Sequence, residues 1–166
     1  MPKIEIRPLT LEDQAVFLRA VRASRHLHHP WITVPQDAPA FKRYVLRFQP
    51  PEAYCFVICL HKTGEMVGSV NLTQVAFGAY RSAVVGYFAF AGYEGQGYIS
   101  KGLRKAIRFA FKDLGLHRLE ANIQPHNKAS VALVKACGFQ KEGLARGFIK
   151  IAGRWRDHER WALLKS

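Results

Sequence analysis

The chain contains 166 residues, of which 49% are hydrophobic and 22% are charged. A sequence of this length and composition is typical of one globular domain, and we expect that domain to span residues 1–166. No uncharged apolar run is long enough to cross a bilayer, and the first ten residues lack the pattern of a secretory signal. A membrane partner is therefore not expected, and the predicted location is the cytoplasm.

The charge is strongly unbalanced, since 25 Lys and Arg residues against 12 Asp and Glu residues give a formal net charge of +13. Such a surface attracts nucleic acid, ribosomes, acidic peptides or an anionic cofactor. The densest basic group lies on one predicted helix and comprises Arg104, Lys105, Arg108 and Lys112. Without a nucleic-acid fold signature, this group favours a solvated helix face near a phosphate site, and contact with nucleic acid is expected only through the ribosome.

The start of the chain predicts a strand followed by a helix and a loop. Ile4 and Ile6 alternate with charged residues, which indicates a strand. Thr10 is a candidate N-cap for a helix over residues 11–23, and residues 24–36 are predicted to form a loop.

The rest of the chain alternates between extended and helical patterns. A short helix is predicted to start at Asp37 and to end at Phe48, before two prolines. The patterns then predict strands over residues 54–61, 66–76 and 79–90, a helix over 100–114, a strand over 117–123, a helix ending at Ala136, and a closing hairpin of residues 148–151 and 155–161.

A glycine-rich run, Gly95-Gln96-Gly97-Tyr98-Ile99-Ser100, separates a predicted strand from a predicted helix. Such a junction points free backbone N–H groups and the positive end of a helix dipole at one place, which suits a phosphate. A dinucleotide fingerprint would need glycine in place of Ser100, and a P-loop would need lysine and then Ser or Thr after Gly102. Both alternatives therefore fail, while a purely structural glycine turn remains open.

Cysteine and histidine do not form a metal-binding pattern in this sequence. The three cysteines (Cys55, Cys59 and Cys137) are expected to be buried thiols, because no C-x-x-C pair or suitably spaced histidine accompanies them. The histidine cluster at residues 26–29 is expected to be a solvated or substrate-lining loop. No metal site is predicted.

Four further motifs surround the glycine run. They are Asn127 with Ser130, Gly138-Phe139, Trp155-Arg156-Asp157-His158 and Pro30-Trp31. Together with the glycine run they resemble the Gcn5-related N-acetyltransferase (GNAT) superfamily, most closely its RimJ/RimL-like branch, which acetylates the N-terminal amines of proteins. The resemblance covers about residues 64–164, and it departs from the superfamily's loop signature at Gly92, where Gln or Arg is usual.

The resemblance implies an α/β (α+β) fold, with a mixed sheet of about six or seven strands and about four helices. The fourth and fifth strands, at about residues 84–90 and 118–124, would splay apart to admit acetyl-CoA. The residues implied to bind this cofactor are Phe88, Ala89, Phe90, Tyr93, Gly95, Gln96, Gly97, Tyr98, Ile99, Ser100, Asn127 and Ser130.

The resemblance also implies catalytic roles. Ser130 occupies the position from which related enzymes protonate the departing CoA thiolate. The positions that carry a glutamate base in related enzymes are Ile149 and Asn122 here, and neither side chain can accept the proton. Glu120 shares a strand face with Asn122 and is the predicted base, acting directly or through water. Three alternatives, Glu142, Asp157 and His158, have no geometric support from the sequence.

The predicted acceptor is the N-terminal α-amine of a protein or peptide, such as a ribosomal protein, because a weak base suits an amine of low pKa. Trp31 and Asn122 are expected to contact this acceptor. Two alternatives remain open: a small amine such as an antibiotic, polyamine or amino acid, and a non-catalytic CoA-binding or nucleic-acid-binding module. The expected state is a monomer or a homodimer.

Overall fold

One mixed sheet of seven strands organises the protein. The structure is a computed structural model that describes residues 1–166. The strands are β1 (Ile4–Pro8), β2 (Tyr54–Leu60), β3 (Met66–Ala76), β4 (Ser82–Ala89), β5 (Arg118–Ile123), β6 (Gln140–Ile151) and β7 (Arg154–Leu164). They lie in the order β1-β2-β3-β4-β5-β7-β6, and only the β4–β5 pair is parallel. The predicted mixed sheet of six or seven strands is confirmed.

Five helices accompany the sheet, close to the predicted number of about four. They are α1 (Gln14–Ala23), α2 (Arg25–His28), α3 (Ala38–Arg47), α4 (Tyr98–Arg108) and α5 (Lys128–Ala136). A 3₁₀ turn at Leu11–Asp13 precedes α1, and a π turn at Phe109–Asp113 continues α4. The additional helix is α2, which lies in the segment predicted to be a loop. None of the helices has the length and apolarity that a bilayer crossing requires.

The helices cover both faces of the sheet, because its central strands are apolar on both sides. In β2, Phe56 and Ile58 pack in the core beneath α4, whereas Val57 packs in the core formed with α1 and α3. Successive side chains of a strand point to opposite faces, so one apolar run supplies both cores. All three cysteines are buried free thiols, as the sequence predicted.

Strands β4 and β5 pair over only a short stretch. Ser82, Ala83 and Val84 lie beside residues 118–120, and the pairing stops there. Beyond this point β4 remains paired with β3 as far as Ala89, while β5 remains paired with β7. The predicted splay is therefore confirmed, and it leaves backbone N–H and C=O groups on the facing edges of both strands without strand partners.

Candidate active site

The glycine-rich loop forms a cradle at the amino end of α4. Gly92, Gly95 and Gly97 have φ angles of 95°, 71° and 83°, values that disfavour any side chain. Gly97 is the N-cap of α4, so the first N–H groups of the helix have no partner within the helix. No atom lies within 4 Å of where a Cβ of Gly95 would stand. The loop therefore offers open space and backbone donors to an anion.

Glycine stands at position 92, where the loop signature of the superfamily usually has Gln or Arg, and the structure explains this difference. The Gly92 N–H donates to a carboxylate oxygen of Glu94 at 2.7 Å, and the side-chain amide of Gln96 donates to the Gly92 carbonyl at 2.7 Å. With φ at 95°, a Gln or Arg side chain here would strain the backbone. The loop is thus held by the Gln96 amide instead of by a side chain at position 92.

A cleft of about 450 Å³, called here the long cleft, runs from this loop to α5. Eleven of the predicted site residues line it: Trp31, Phe88, Ala89, Tyr93, Gly95, Gly97, Tyr98, Ile99, Ser100, Asn127 and Ser130. Two predicted cofactor residues do not line it. Phe90 is buried against Phe17 and His28, and Gln96 turns back to the loop.

A smaller cavity of about 90 Å³, called here the inner chamber, opens where β4 and β5 separate. Five residues line both cavities, so the long cleft and the inner chamber share one wall: Trp31, Ile32, Tyr87, Asn127 and Ser130. The inner chamber also has Asn122, Gln124 and His158 on its walls. The geometry therefore joins an anion cradle to a small polar pocket along a shared wall that includes Ser130.

Ser130 is held by contacts with β4 and with its own helix. Its hydroxyl lies 2.6 Å from the hydroxyl of Tyr87, and its backbone N–H donates to the side-chain oxygen of Asn127 at 3.3 Å. Burial raises the pKa of Tyr87 to about 12, so the phenol keeps its proton at neutral pH. Tyr87 can therefore donate to Ser130 and leave the serine proton directed elsewhere.

Position 87 was missed by the sequence prediction, which treated β4 mainly as a backbone surface. Its alternation with Val85 and Ala89 places Tyr87 on the same side of the strand as those residues. Nothing in the sequence states that α5 packs against this strand. The signal that could have found Tyr87 is a tyrosine within a strand predicted to splay, since a buried tyrosine hydroxyl usually finds a partner.

The loop that carries Trp31 is fixed over the site. The side-chain amide of Gln124 donates to the carbonyls of Pro30 and Trp31 at 3.0 and 3.3 Å. His28 is buried rather than solvated, and its Nε2 lies 2.9 Å from the Ala89 carbonyl. This burial, together with packing on Phe88, explains why a helical turn forms where the sequence predicted a loop.

The predicted base, Glu120, lies outside both cavities. Its carboxylate pairs with Arg118 at 3.1 Å and also accepts a hydrogen bond from Arg160. It stands opposite Val84, at the last paired position of β4 and β5. The structure therefore does not bring Glu120 together with Ser130, although both lie near the splay.

The Asp157-His158 segment does bring one side chain to the site. His158 lines the inner chamber, while the Asp157 carboxylate accepts from the Gly147 N–H at 2.8 Å. His158 Nδ1 lies 2.9 Å from the Arg156 carbonyl. Asp157 and His158 are therefore not hydrogen-bonded to each other. Burial lowers the pKa of His158, despite the opposing effects of the Arg156 carbonyl and Asp157.

Comparison with known proteins identifies the family. The protein-family model described as the acetyltransferase (GNAT) domain matches residues 3–140 of this chain. The chain belongs to the GNAT acetyltransferase family. GNAT enzymes use acetyl-CoA, and this protein is an acetyl-CoA-dependent N-acetyltransferase.

Relatives support the same assignment. The "Probable N-acetyltransferase YjcK" of Bacillus subtilis is 35% identical over 97% of this chain and 93% of its own length. The [Ribosomal protein uS5]-alanine N-acetyltransferase of Escherichia coli is 37% identical over 60% of this chain, but the match spans only 51% of that enzyme. The solved structure of Mycobacterium smegmatis RimJ in complex with CoA-disulfide superposes with a TM-score of 0.89 at 28% identity, covering 97% of this chain and 81% of that one.

The residues present fit acetyl-CoA. A pyrophosphate needs N–H donors and close backbone approach, which the positive-φ loop at Gly95 and Gly97 provides. A pantetheine arm needs partners for its amides, which the unpaired edge of β4 beyond Val84 provides. The long cleft of this GNAT domain is therefore the candidate cofactor site, and it ends at Ser130.

Proposed function

We propose that this enzyme acetylates the N-terminal α-amine of a protein or peptide, such as a ribosomal protein. One observation carries the proposal: no Asp or Glu lines the inner chamber, where an acceptor would meet the end of the long cleft. In the long cleft the only carboxylate belongs to Glu94, which lies in the glycine loop and accepts a hydrogen bond from the Gly92 N–H.

A chamber without carboxylates favours an amine that carries a single positive charge and loses it readily. A polyamine carries several ammonium groups, and burying an unpaired charge is costly. The net charge of +13 adds a repulsive field for such a substrate. An α-amine has a pKa near ~7.8 against ~10.4 for lysine, which makes deprotonation easier by about 3.5 kcal/mol.

The surroundings of the chamber also suit a peptide. The edge of β5 that lines the chamber, over residues 121–123, offers backbone groups that an extended segment can pair with. Trp31 lines both the long cleft and the inner chamber, and it offers an aromatic surface to the first residues of the acceptor. An acceptor that presents one amine followed by backbone amides uses both features.

In this proposal each residue has a defined task. Acetyl-CoA supplies the acetyl group as a thioester, and the cradle between Tyr93 and Ser100 holds its pyrophosphate. Ser130 donates its proton to the departing thiolate, and Tyr87 holds the serine hydroxyl at 2.6 Å. A thiol of pKa near ~8.5 is already a fair leaving group, so this contribution is a directed hydrogen bond.

The proposal is tested by comparing acceptors in one assay. Purified protein and acetyl-CoA are incubated with peptides bearing a free or a blocked N-terminus, with spermidine, and with an amino acid, and CoA release is followed. The free peptide should show a kcat/KM at least about tenfold above every other acceptor, and the blocked peptide should show none. A preference for spermidine or the amino acid would contradict the proposal.

A further inference from the structure

His158 lines the inner chamber, and one of its ring nitrogens has no hydrogen-bond partner. The residue is 3% exposed and lies on β7, one pair beyond the Ile123–Glu159 register of β5 and β7. Its ring packs near Phe148, at 6.4 Å between centroids. The nitrogen Nε2 makes no hydrogen bond, and it is not among the buried unpartnered atoms, so it remains accessible from the chamber.

The tautomer of His158 is set by its backbone contact. Nδ1 lies 2.9 Å from the Arg156 carbonyl, which can only accept, so Nδ1 carries the hydrogen. In the neutral ring Nε2 is then a free lone pair. The side chain is thus oriented as a proton acceptor before any substrate arrives.

Burial lowers the pKa of His158 and so favours the neutral ring near pH 7. Tyr87 from β4 is the other titratable group on the chamber wall, and it is protonated. Asp157 raises the pKa of His158, but burial outweighs this effect and the net shift is downward. From β7, Arg160 lies over the Phe148 ring, and from β5 no ionisable side chain reaches the chamber.

Asn122 also lines the inner chamber. The side-chain oxygen of Asn122 is buried without a hydrogen-bond partner. Asn122 pairs with Arg160 across β5 and β7, so it shares a sheet face with His158, two residues along. An unsatisfied buried oxygen is costly, and an amine N–H is the donor that would satisfy it. The chamber wall therefore carries two side chains that can accept a hydrogen bond from an amine, His158 and Asn122, and no carboxylate.

We propose that His158 is the general base of the reaction, and that Asn122 orients the acceptor nitrogen toward it. The proposal rests on the proposed α-amine acceptor. Nε2 takes one proton from the α-ammonium, and the freed lone pair forms the bond to the acetyl carbonyl carbon. The carbon–sulfur bond breaks with its electron pair on sulfur. Ser130 gives its proton to the thiolate and recovers one from the nitrogen, which ends as a neutral amide, and His158 releases its proton to solvent.

The test replaces His158 by Gln and follows the pH profile. His158→Gln should lower kcat by about 10²- to 10⁴-fold, the usual contribution of a positioned base. In the wild type, kcat/KM should level off at a pH below the ordinary histidine pKa of 6.5. In His158→Gln the rise should move up to the pKa of the amine, near ~7.8. His61→Gln, an exposed histidine paired with Glu5, is the matched control and should match the wild type.

Nuclear magnetic resonance gives a readout that is independent of turnover and of the folding of a variant. In the wild-type protein, labelled His158 should titrate below pH 6.5 with Nε2 unprotonated, and an added acceptor peptide should shift its resonances. A protonated Nε2 in neutral His158, or no response to the peptide, would overturn the proposal. So would a His158→Gln variant that keeps the wild-type kcat, or one that loses activity without moving the pH profile.

The two proposals fail in different ways. If the wild-type enzyme does not acetylate the peptide but acetylates another amine, the acceptor assignment is wrong, and His158→Gln is then measured on that amine. If wild type and His158→Gln acetylate the peptide equally, the acceptor assignment stands and the role of His158 is wrong. Binding of acetyl-CoA by thermal shift confirms in each case that the variant is folded.

Discussion

The hydroxyl of Tyr87 lies 2.6 Å from the hydroxyl of Ser130, linking the splayed part of β4 to the first turn of α5. Tyr87 also lies 3.3 Å from the Ser130 carbonyl. Because burial raises the pKa of Tyr87 to about 12, this link is formed by two protonated hydroxyls at physiological pH. The contact holds the Ser130 hydroxyl on the wall that the long cleft and the inner chamber share.

Removing the serine hydroxyl should slow the reaction without weakening cofactor binding. Ser130→Ala should lower kcat by about 10- to 1000-fold, because a positioned proton donor is lost. Tyr87→Phe should give a smaller loss, since Ser130 remains but is less well directed. Tyr80→Phe is the control, because Tyr80 is 79% exposed. Steady-state rates with calorimetric acetyl-CoA binding decide this, and a wild-type kcat in Ser130→Ala would assign the serine to the helix surface.

A charge in the glycine cradle should abolish cofactor binding. Acetyl-CoA at a hundred times its dissociation constant should stabilise the wild type by about 2.7 kcal/mol. Gly97→Asp should remove this gain, because a carboxylate would face the pyrophosphate. Gly78→Asp is a matched control, since Gly78 also has a positive φ (68°) but lies in the turn between β3 and β4. Thermal shift measures both, and equal stabilisation of Gly97→Asp and wild type would exclude the cradle.

The sequence predicted the sheet well because its signals are local. The apolar run over β2 and the turn residues around Gly64 identify neighbouring strands without any tertiary information. The helix after the glycine loop was predicted to begin at Ser100 and begins at Tyr98, a difference within the usual uncertainty of helix ends. The splay at Val84 followed from the family resemblance rather than from periodicity.

The rest of the site could not be read from the sequence, because it depends on packing between distant segments. The α2 turn is anchored by Ser24, whose hydroxyl donates to the Ala20 carbonyl and accepts from the Ala91 N–H, 67 residues away. Glu120 was predicted to be the base because the sequence does not show that two arginines pair with its carboxylate. Arg118 is only two residues away in the sequence, so its pairing with Glu120 could be predicted. Arg160 lies on β7, and its pairing depends on the register between β5 and β7.

Truncating Asn122 should separate acceptor binding from cofactor binding. Asn122→Ala should raise KM for the peptide by about 5- to 30-fold, the value of one hydrogen bond of about 1–2 kcal/mol. The affinity for acetyl-CoA should not change. The melting temperature should stay level or rise, because a buried oxygen without a partner is removed. Kinetics and calorimetry test this together, and an unchanged KM would place Asn122 outside the acceptor site.

The ion pair at the start of α1 should make stability depend on pH. Burial raises the pKa of Asp13, but hydrogen bonds from Arg7 at 2.8 Å and from the Thr10 amide outweigh it and hold the pKa below its usual range. A carboxyl with a lowered pKa in the folded state stabilises above its unfolded pKa of ~3.9 and loses this contribution as the pH falls through the folded value.

Asp13→Asn should therefore reduce the free energy of unfolding by about 1–3 kcal/mol at pH 7, because the Arg7 guanidinium loses its partner. The difference from wild type should shrink below about pH 4. Glu12→Gln, at an exposed neighbouring position, is the control. Denaturant unfolding at pH 7 and pH 3 measures the effect, and an equal loss at both values would show that the carboxylate charge does not matter.

Acetyl transfer to an N-terminal α-amine can be measured by mass spectrometry of a peptide that carries both a free N-terminus and an internal lysine. The peptide is incubated with acetyl-CoA and the enzyme near pH 7, and the position of the acetyl group is read from the fragment ions. We expect the α-amine to be acetylated in large excess over the lysine, since its lower pKa lowers the cost of deprotonation by about 3.5 kcal/mol. Acetyl groups found mainly on the lysine would exclude the N-terminal α-amine as the preferred acceptor.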